Sequence, residues 1–169
     1  MRILQLLPEL KFGGVERGTV DLSEHLTKLG HQSAVVSAGG GLTEQLSNHG
    51  AKHFSLPIAK KNFLAIKQYK NLRDIYREFK PDIIHVRSRF PAWINVLALK
   101  GLSSSKPIVI STFHGLYSKP FYSKSMSYAN DIIAISKTVQ EYVFKNYDVD
   151  HSRVPVSYTH LTLPTTPYV

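Results

Sequence analysis

The chain has 169 residues and 43% hydrophobic content, enough for one domain with a proper core. It has no cysteine, which excludes disulfides, thiolate metal sites and a thiol nucleophile, and suits a reducing compartment. Lys+Arg 21 against Asp+Glu 12 gives a formal charge of +9, so the natural partners are anionic: nucleic acid, a phospholipid surface or a phosphorylated substrate.

An apolar run at 3–7 opens the chain as a strand; broken by Pro8 and Glu9, it is too short for a signal-peptide core. A loop then closes on Gly13 and Gly14, and an amphipathic helix follows over 15–29, stacking Val15, Leu22, Leu26 and Leu29 and stopping at Gly30. Paired glycines at a strand–loop–helix junction let a phosphate approach the backbone, where the free N–H groups of the first turn carry the positive end of the helix dipole. Further apolar, β-branched runs predict strands at 32–37, 52–56, 82–86, 108–112 and 131–135. Helical patterns lie between most of them, at 42–48, 62–79, 92–100 and 137–146. Nothing approaches the ~18 apolar residues of a membrane span.

Strands and helices in alternation, with nearly continuous apolar strands, predict an α/β fold: a Rossmann-like, doubly wound parallel sheet. Ligands of such sheets sit beyond the carboxyl ends of the strands. The residues there are Gly13 and Gly14; Gly39, Gly40 and Gly41; Arg87, Ser88 and Arg89; His114 and Gly115; and Ser136. Glycines, cations, a histidine and hydroxyls on one rim suit an anionic, hydroxyl-rich ligand. Arg87 and Arg89 flank Ser88 in what reads as an extended segment, so both can point the same way and grip phosphate. Ser136 reads most simply as the N-cap of the last helix. His85, inside a strand, reads as a satisfied core residue, and His49 and His53 as no metal pair, because Gly50 lies between them.

A dinucleotide cofactor fits poorly. The pattern is GGxExG at the end of a long loop, and the second strand ends in Ser37, Ala38 and Gly39 where a ribose-binding carboxylate would stand. The segments ILQLLPELKFGGVERGTVDLSEHL, VVSAGGGLTEQL, DIIHVRSRFPAW, STFHGLY and NDIIAISKTV resemble, in order and spacing, the N-terminal half of family 4 glycosyltransferases of the GT-B fold, especially bacterial enzymes of lipopolysaccharide core and envelope glycan assembly. The resemblance covers nearly all of 1–154. It implies retaining transfer of a sugar from a nucleotide diphosphate sugar to an anionic glycan or glycolipid acceptor. No metal or other cofactor is expected, and the reaction runs in a cleft between two Rossmann-like domains of which this one shapes the acceptor side.

By the same resemblance, Gly13 and Gly14 approach the donor diphosphate, and His114 lines the reacting sugar as a hydrogen-bond partner near the anomeric centre. Arg87, Ser88, Arg89, Gly115 and Ser136 line the substrate. Glu16 would repel phosphate if it pointed inward, so it is expected to face the acceptor or cap backbone. The second domain, with its paired glutamates and basic residues, is missing, and the fragment is expected to be inactive alone. The stretch 155–169, PVSYTHLTLPTTPYV, carries no charge and continues no period; it reads as a non-native tail resembling translated sequencing-adapter read-through.

Lys67, Lys70, Arg73 and Arg77 fall on one face of the 62–79 helix. With Lys60 and Lys61 they are expected either to be plainly solvated or to rest on anionic lipid, a peripheral membrane contact at the inner face of the cytoplasmic membrane. The rival reading is a non-enzymatic basic Rossmann-like module binding nucleic acid or anionic lipid. It needs exposed aromatics among cations, whereas Tyr76, Phe79 and Phe113 fit core or rim positions, so no nucleic acid is expected.

Overall fold

The computed structural model describes residues 1–60, 62–102, 106–118 and 120–157. Six parallel strands, β1 (Arg2–Leu6), β2 (Gln32–Ser37), β3 (Lys52–Ser55), β4 (Ile83–Val86), β5 (Ile108–Phe113) and β6 (Asp131–Ala134), form one sheet in the order β3-β2-β1-β4-β5-β6. The connections run one way from β1 to β3 and the other way from β4 to β6. The strand order therefore reverses between β1 and β4, opening a crevice at their carboxyl ends.

The helices are α1 (Gly14–Lys28), α2 (Thr43–Asn48), α3 (Phe63–Lys67), α4 (Tyr69–Phe79), α5 (Arg89–Leu99), α6 (Pro120–Ser127) and α7 (Lys137–Asn146). Strand alternation sorts the core into two clusters. Leu4, Leu6, Val36, Ile84 and Val86 pack with Leu72, Tyr76 and Ile94 from α4 and α5. Leu7 and Val35 pack with Val20, Leu42 and Leu46 beside α1 and α2. The doubly wound α/β fold is the one expected.

Three departures matter. The helix expected over 62–79 is two: Asn62 caps α3 by accepting from the Ala65 N–H at 2.8 Å, and the chain bends at Gln68, whose N–H bonds three residues back to the Ala65 carbonyl, before α4 begins. Helix α5 starts at Arg89 rather than at 92, because Pro91 lies in the first turn, where a missing N–H is harmless. Helix α6 had no expected counterpart. It buries Ser123, Ser125 and Met126, a face without an apolar stripe.

Past residue 154 the chain keeps pairing. The Ala134 N–H donates to the Pro155 carbonyl at 3.0 Å and the Ser157 N–H to the Ala134 carbonyl at 2.8 Å, placing Val156 beside β6. Most of the 155–169 stretch, and Lys61, lie outside the described residues. Among the described residues no helix is long and apolar enough to cross a membrane.

Candidate functional site

The loop from β1 to α1 ends on Gly13, the N-cap of α1, in extended backbone (φ −153°, ψ 166°) and with no side-chain cap. A Cβ added to Gly14 would meet nothing within 4 Å, so the space beside Gly14 in the first turn of this 15-residue helix is open. Glu16 bears on this directly. Its carboxylate folds back over Gly13, where a Cβ would run into Oε2, and its charge also reaches Arg87. The carboxylate therefore sits at the positive end of the helix and within reach of Arg87, where it would have to swing aside for an incoming phosphate.

This loop is stitched to the one after β2. The Leu10 N–H donates to the Gly39 carbonyl at 2.8 Å, the Leu42 N–H to the Leu10 carbonyl at 2.9 Å and the Ala38 N–H to the Pro8 carbonyl at 2.9 Å. Gly40, at φ +149°, lies against the Leu10 carbonyl, and a Cβ on Gly41 would stand 2.7 Å from the Phe12 ring. The 39–41 glycines thus serve loop-to-loop contact, and their expected place among ligand-facing residues is corrected accordingly.

Across the crevice, Arg87 leaves the end of β4 and turns toward α1. Its Nη1 donates to Gln5 Oε1 at 3.1 Å, while a Cβ on Gly18 would stand 3.3 Å from Nη2. Gln5, fully buried in β1, is itself oriented by donating to the Thr19 carbonyl at 3.1 Å and to Ser23 Oγ at 2.9 Å. Burial lowers the Arg87 pKa to about 10, against the opposing pull of Glu16. Its Nε is buried without a hydrogen-bond partner among the described residues. This mostly buried guanidinium is hydrogen-bonded to a neutral amide, has the Glu16 carboxylate as its nearby negative charge, and keeps Nε for a further acceptor.

His114 follows β5 on the same rim. Its pKa is lowered to about 4, by burial first and by Arg87 second, so the ring is neutral at neutral pH. Its Nε2 is buried with no partner among the described residues. His85 is also neutral, lowered to about 3 by burial, Arg87 and His114, but its Nε2 lies 2.7 Å from Thr112 Oγ1 and is satisfied within the core. Gly14, Glu16, Arg87 and His114 therefore gather around the β1/β4 crevice.

The other expected site residues are arranged differently from the extended pair first drawn. Ser88 is the N-cap of α5 and Arg89 its first residue, so the two arginines take different partners. The Arg89 guanidinium stacks over Tyr117 at 4.6 Å and Tyr122 at 5.3 Å from the ring centroids, whereas Arg87 binds Gln5. A Cβ at Gly115 would meet nothing within 4 Å, which leaves the space beside His114 open. Ser136 caps α7, its hydroxyl accepting from the Val139 N–H at 3.2 Å.

Two residues escaped the sequence reading. Gln5 is a lone polar residue in an apolar strand, a visible cue. Tyr117, whose hydroxyl accepts from the His114 N–H at 3.4 Å, left no such cue.

The basic stripe on α3 and α4 is partly committed elsewhere. Arg73 donates to the Ala98 and Leu97 carbonyls at 3.1 and 3.2 Å, and Arg77 pairs with Asp74 at 2.8 Å. Lys67 and Lys70 are exposed. His53 Nε2 lies 2.9 Å from Ser37 Oγ and His49 Nδ1 3.3 Å from Glu24, so these histidines have separate partners.

Residues 12–160 match the family model described as Glycosyltransferase Family 4. The chain belongs to that family. A glycosyltransferase from Rickettsia africae ESF-5 superposes with a TM-score of 0.78 at 33% identity, over 93% of this chain and 42% of that one. The lipopolysaccharide outer core galactosyltransferase WaaB, in its apo form, gives 0.77 at 17% identity over 98% and 47%. Anabaena Alr3699/HepE in complex with UDP and glucose gives 0.70 at 16% over 92% and 44%. The two at lower identity show the shared fold, the N-terminal domain of GT-B. The chain spans less than half the length of each of these proteins. No curated protein matches its sequence significantly.

Proposed function

We propose that this family 4 chain is the acceptor-side half of an enzyme that moves a sugar, with retention of anomeric configuration and without a metal, from a nucleotide diphosphate sugar to a hydroxyl of an anionic glycan or glycolipid. The observation that carries this is the buried Nε2 of neutral His114, without a hydrogen-bond partner among the described residues, near Arg87 and on the same crevice as the open space beside Gly14. The anion-seeking groups and the neutral hydrogen-bonding ring converge where strand order reverses, the place at which such sheets hold ligands.

In this reading the N–H groups around Gly13 and Gly14 face the donor diphosphate, and Arg87 adds fixed positive charge as negative charge develops on the leaving group. His114 hydrogen-bonds the reacting sugar, and its neutrality suits a positioning partner rather than a proton donor. Gly115 leaves room for that sugar. Ser88 and Arg89 stand on the acceptor side, and Ser136, already capping α7, has a secondary part.

The chain alone is proposed to be inactive, because the donor nucleotide is held by a second domain. Acceptors of this kind place the enzyme in peripheral contact with the inner face of the cytoplasmic membrane. The test is nucleotide release from nucleotide sugars. We expect none from the 169-residue chain, turnover from the full-length gene product, and a loss of roughly a hundredfold in kcat on His114→Ala. Turnover by the 169-residue chain, or an unaffected His114→Ala enzyme, would overturn the assignment.

A further inference from the structure

We propose that a groove between α3, α5 and α6 seats the aliphatic chain of a lipid phosphate, with Arg89 holding the phosphate. This rests on the acceptor reading above and gives that acceptor a chemical class. The groove has a volume of about 300 Å³ and is lined by Ile66, Phe90, Trp93, Ile94, Leu97 and Phe121, with Tyr122 closing one wall. Phe121 is 84% exposed and Ile66 40%, so the groove carries large apolar side chains standing in water. Covering such surface is favourable by about 25 cal/mol per Å². A sugar or peptide backbone would gain little there, since the lining side chains are aliphatic and aromatic; hydrocarbon suits it.

Charge fixes which hydrocarbon. The Arg89 guanidinium lies over Tyr122, the groove wall, and over Tyr117, whose hydroxyl meets the His114 N–H. Arg89 makes no ion pair with a carboxylate among the described residues. Along the surface the order is therefore His114, Tyr117, Arg89, Tyr122, groove. An acceptor with its reacting hydroxyl toward the rim, a phosphate next and an aliphatic chain last has the same order. A neutral lipid would leave Arg89 without an anionic partner, and free phosphate would leave the groove empty.

Trp93 lines the groove, is the single tryptophan of the chain and is held by its indole N–H donating to the Tyr122 carbonyl at 2.8 Å. Its emission reads occupancy directly. Decyl phosphate, decanol and inorganic phosphate are titrated into the 169-residue chain below micelle-forming concentrations. Decyl phosphate is expected to shift the emission saturably, roughly tenfold more tightly than decanol, and inorganic phosphate not at all.

Phe121→Asp, a change at an exposed position, is expected to weaken decyl phosphate roughly tenfold, and Ile66→Asp repeats this from the opposite wall should the first variant misfold. Arg89→Gln is expected to bring decyl phosphate down to the affinity of decanol. No saturable shift, equal affinity for the phosphate and the alcohol, or indifference to the aspartate variants would overturn the proposal. Nucleotide release by the full-length gene product is a separate readout, so the groove can fail while the sugar-transfer reading stands, and the reverse.

Discussion

Arg87 Nη1 donates to Gln5 Oε1 at 3.1 Å across the neighbouring strands β4 and β1, tying a cation that turns toward α1 to the centre of the sheet. Gln5 is held in turn by Thr19 and Ser23 of α1, so helix, strand and arginine form one unit. Gln5→Leu removes the acceptor from Arg87 and leaves the Thr19 carbonyl without its donor. We expect a loss of about 1–3 kcal/mol in denaturant unfolding, because buried polar groups are left unsatisfied. An unchanged midpoint would show that water replaces the amide.

Among the described residues three histidines are lowered, His53 by burial among them, and the two shifted furthest, His114 and His85, set most of an acid sensitivity. A histidine in the unfolded chain takes up its proton near 6.5, whereas His114 does so near 4 and His85 near 3 in the folded protein. Between those values the unfolded state binds more protons. Their effect on stability is therefore absent above 6.5, and stability falls as pH drops toward 4, by up to about 1.4 kcal/mol per pH unit per histidine. Urea unfolding at about pH 7 and about pH 5 checks this, and His114→Gln should make the slope shallower without abolishing it.

Two glycines that look alike in sequence should behave oppositely. Gly40→Ala places a Cβ against the Leu10 carbonyl at φ +149°, and we expect a loss of about 1–3 kcal/mol. Gly14→Ala meets open space and should leave stability within about 0.5 kcal/mol, while blocking close approach of a phosphate to the first turn. Thermal melts of both variants, with nucleotide release by full-length Gly14→Ala, separate the structural glycine from the binding one.

Tyr76→Phe removes a buried hydroxyl that donates to Asn95 Oδ1 at 2.6 Å, a polar link between α4 and α5 beside those of Arg73. The expected cost is about 1–3 kcal/mol, most of it from the orphaned amide oxygen. Hydrogen exchange should show faster opening of α4 than in the parent chain.

The architecture was legible because each strand of a parallel sheet covered on both faces reads as a short apolar run, as 3–7 and 131–135 do. Helix α6 was not, because PFYSKSMS buries serines through specific acceptors: Ser125 Oγ donates to the Arg89 carbonyl, and from β5 Ser111 Oγ reaches the Met126 carbonyl. No period encodes contacts of that kind. At the site, strand ends pointed to Gly14, Arg87 and His114. The pairing of Arg87 with Arg89 went astray because Pro91 masked the start of α5, and a helical first turn sends Arg89 to Tyr117 and Tyr122. Gln5 and Tyr117 acquire meaning only from partners distant in sequence or brought together by a turn.

The stitch of Leu10 to Gly39 and Leu42 has a consequence for recognition. A loop of glycines left to itself would have to be frozen by each arriving ligand, at a cost of about 1–2 kcal/mol for every residue ordered. Here the neighbouring turn has already set that stretch of backbone during folding. In the proposed reading, a diphosphate reaching Gly13 and Gly14 meets a lead-in loop already held in place by its neighbour, so binding does not have to supply that part of the ordering.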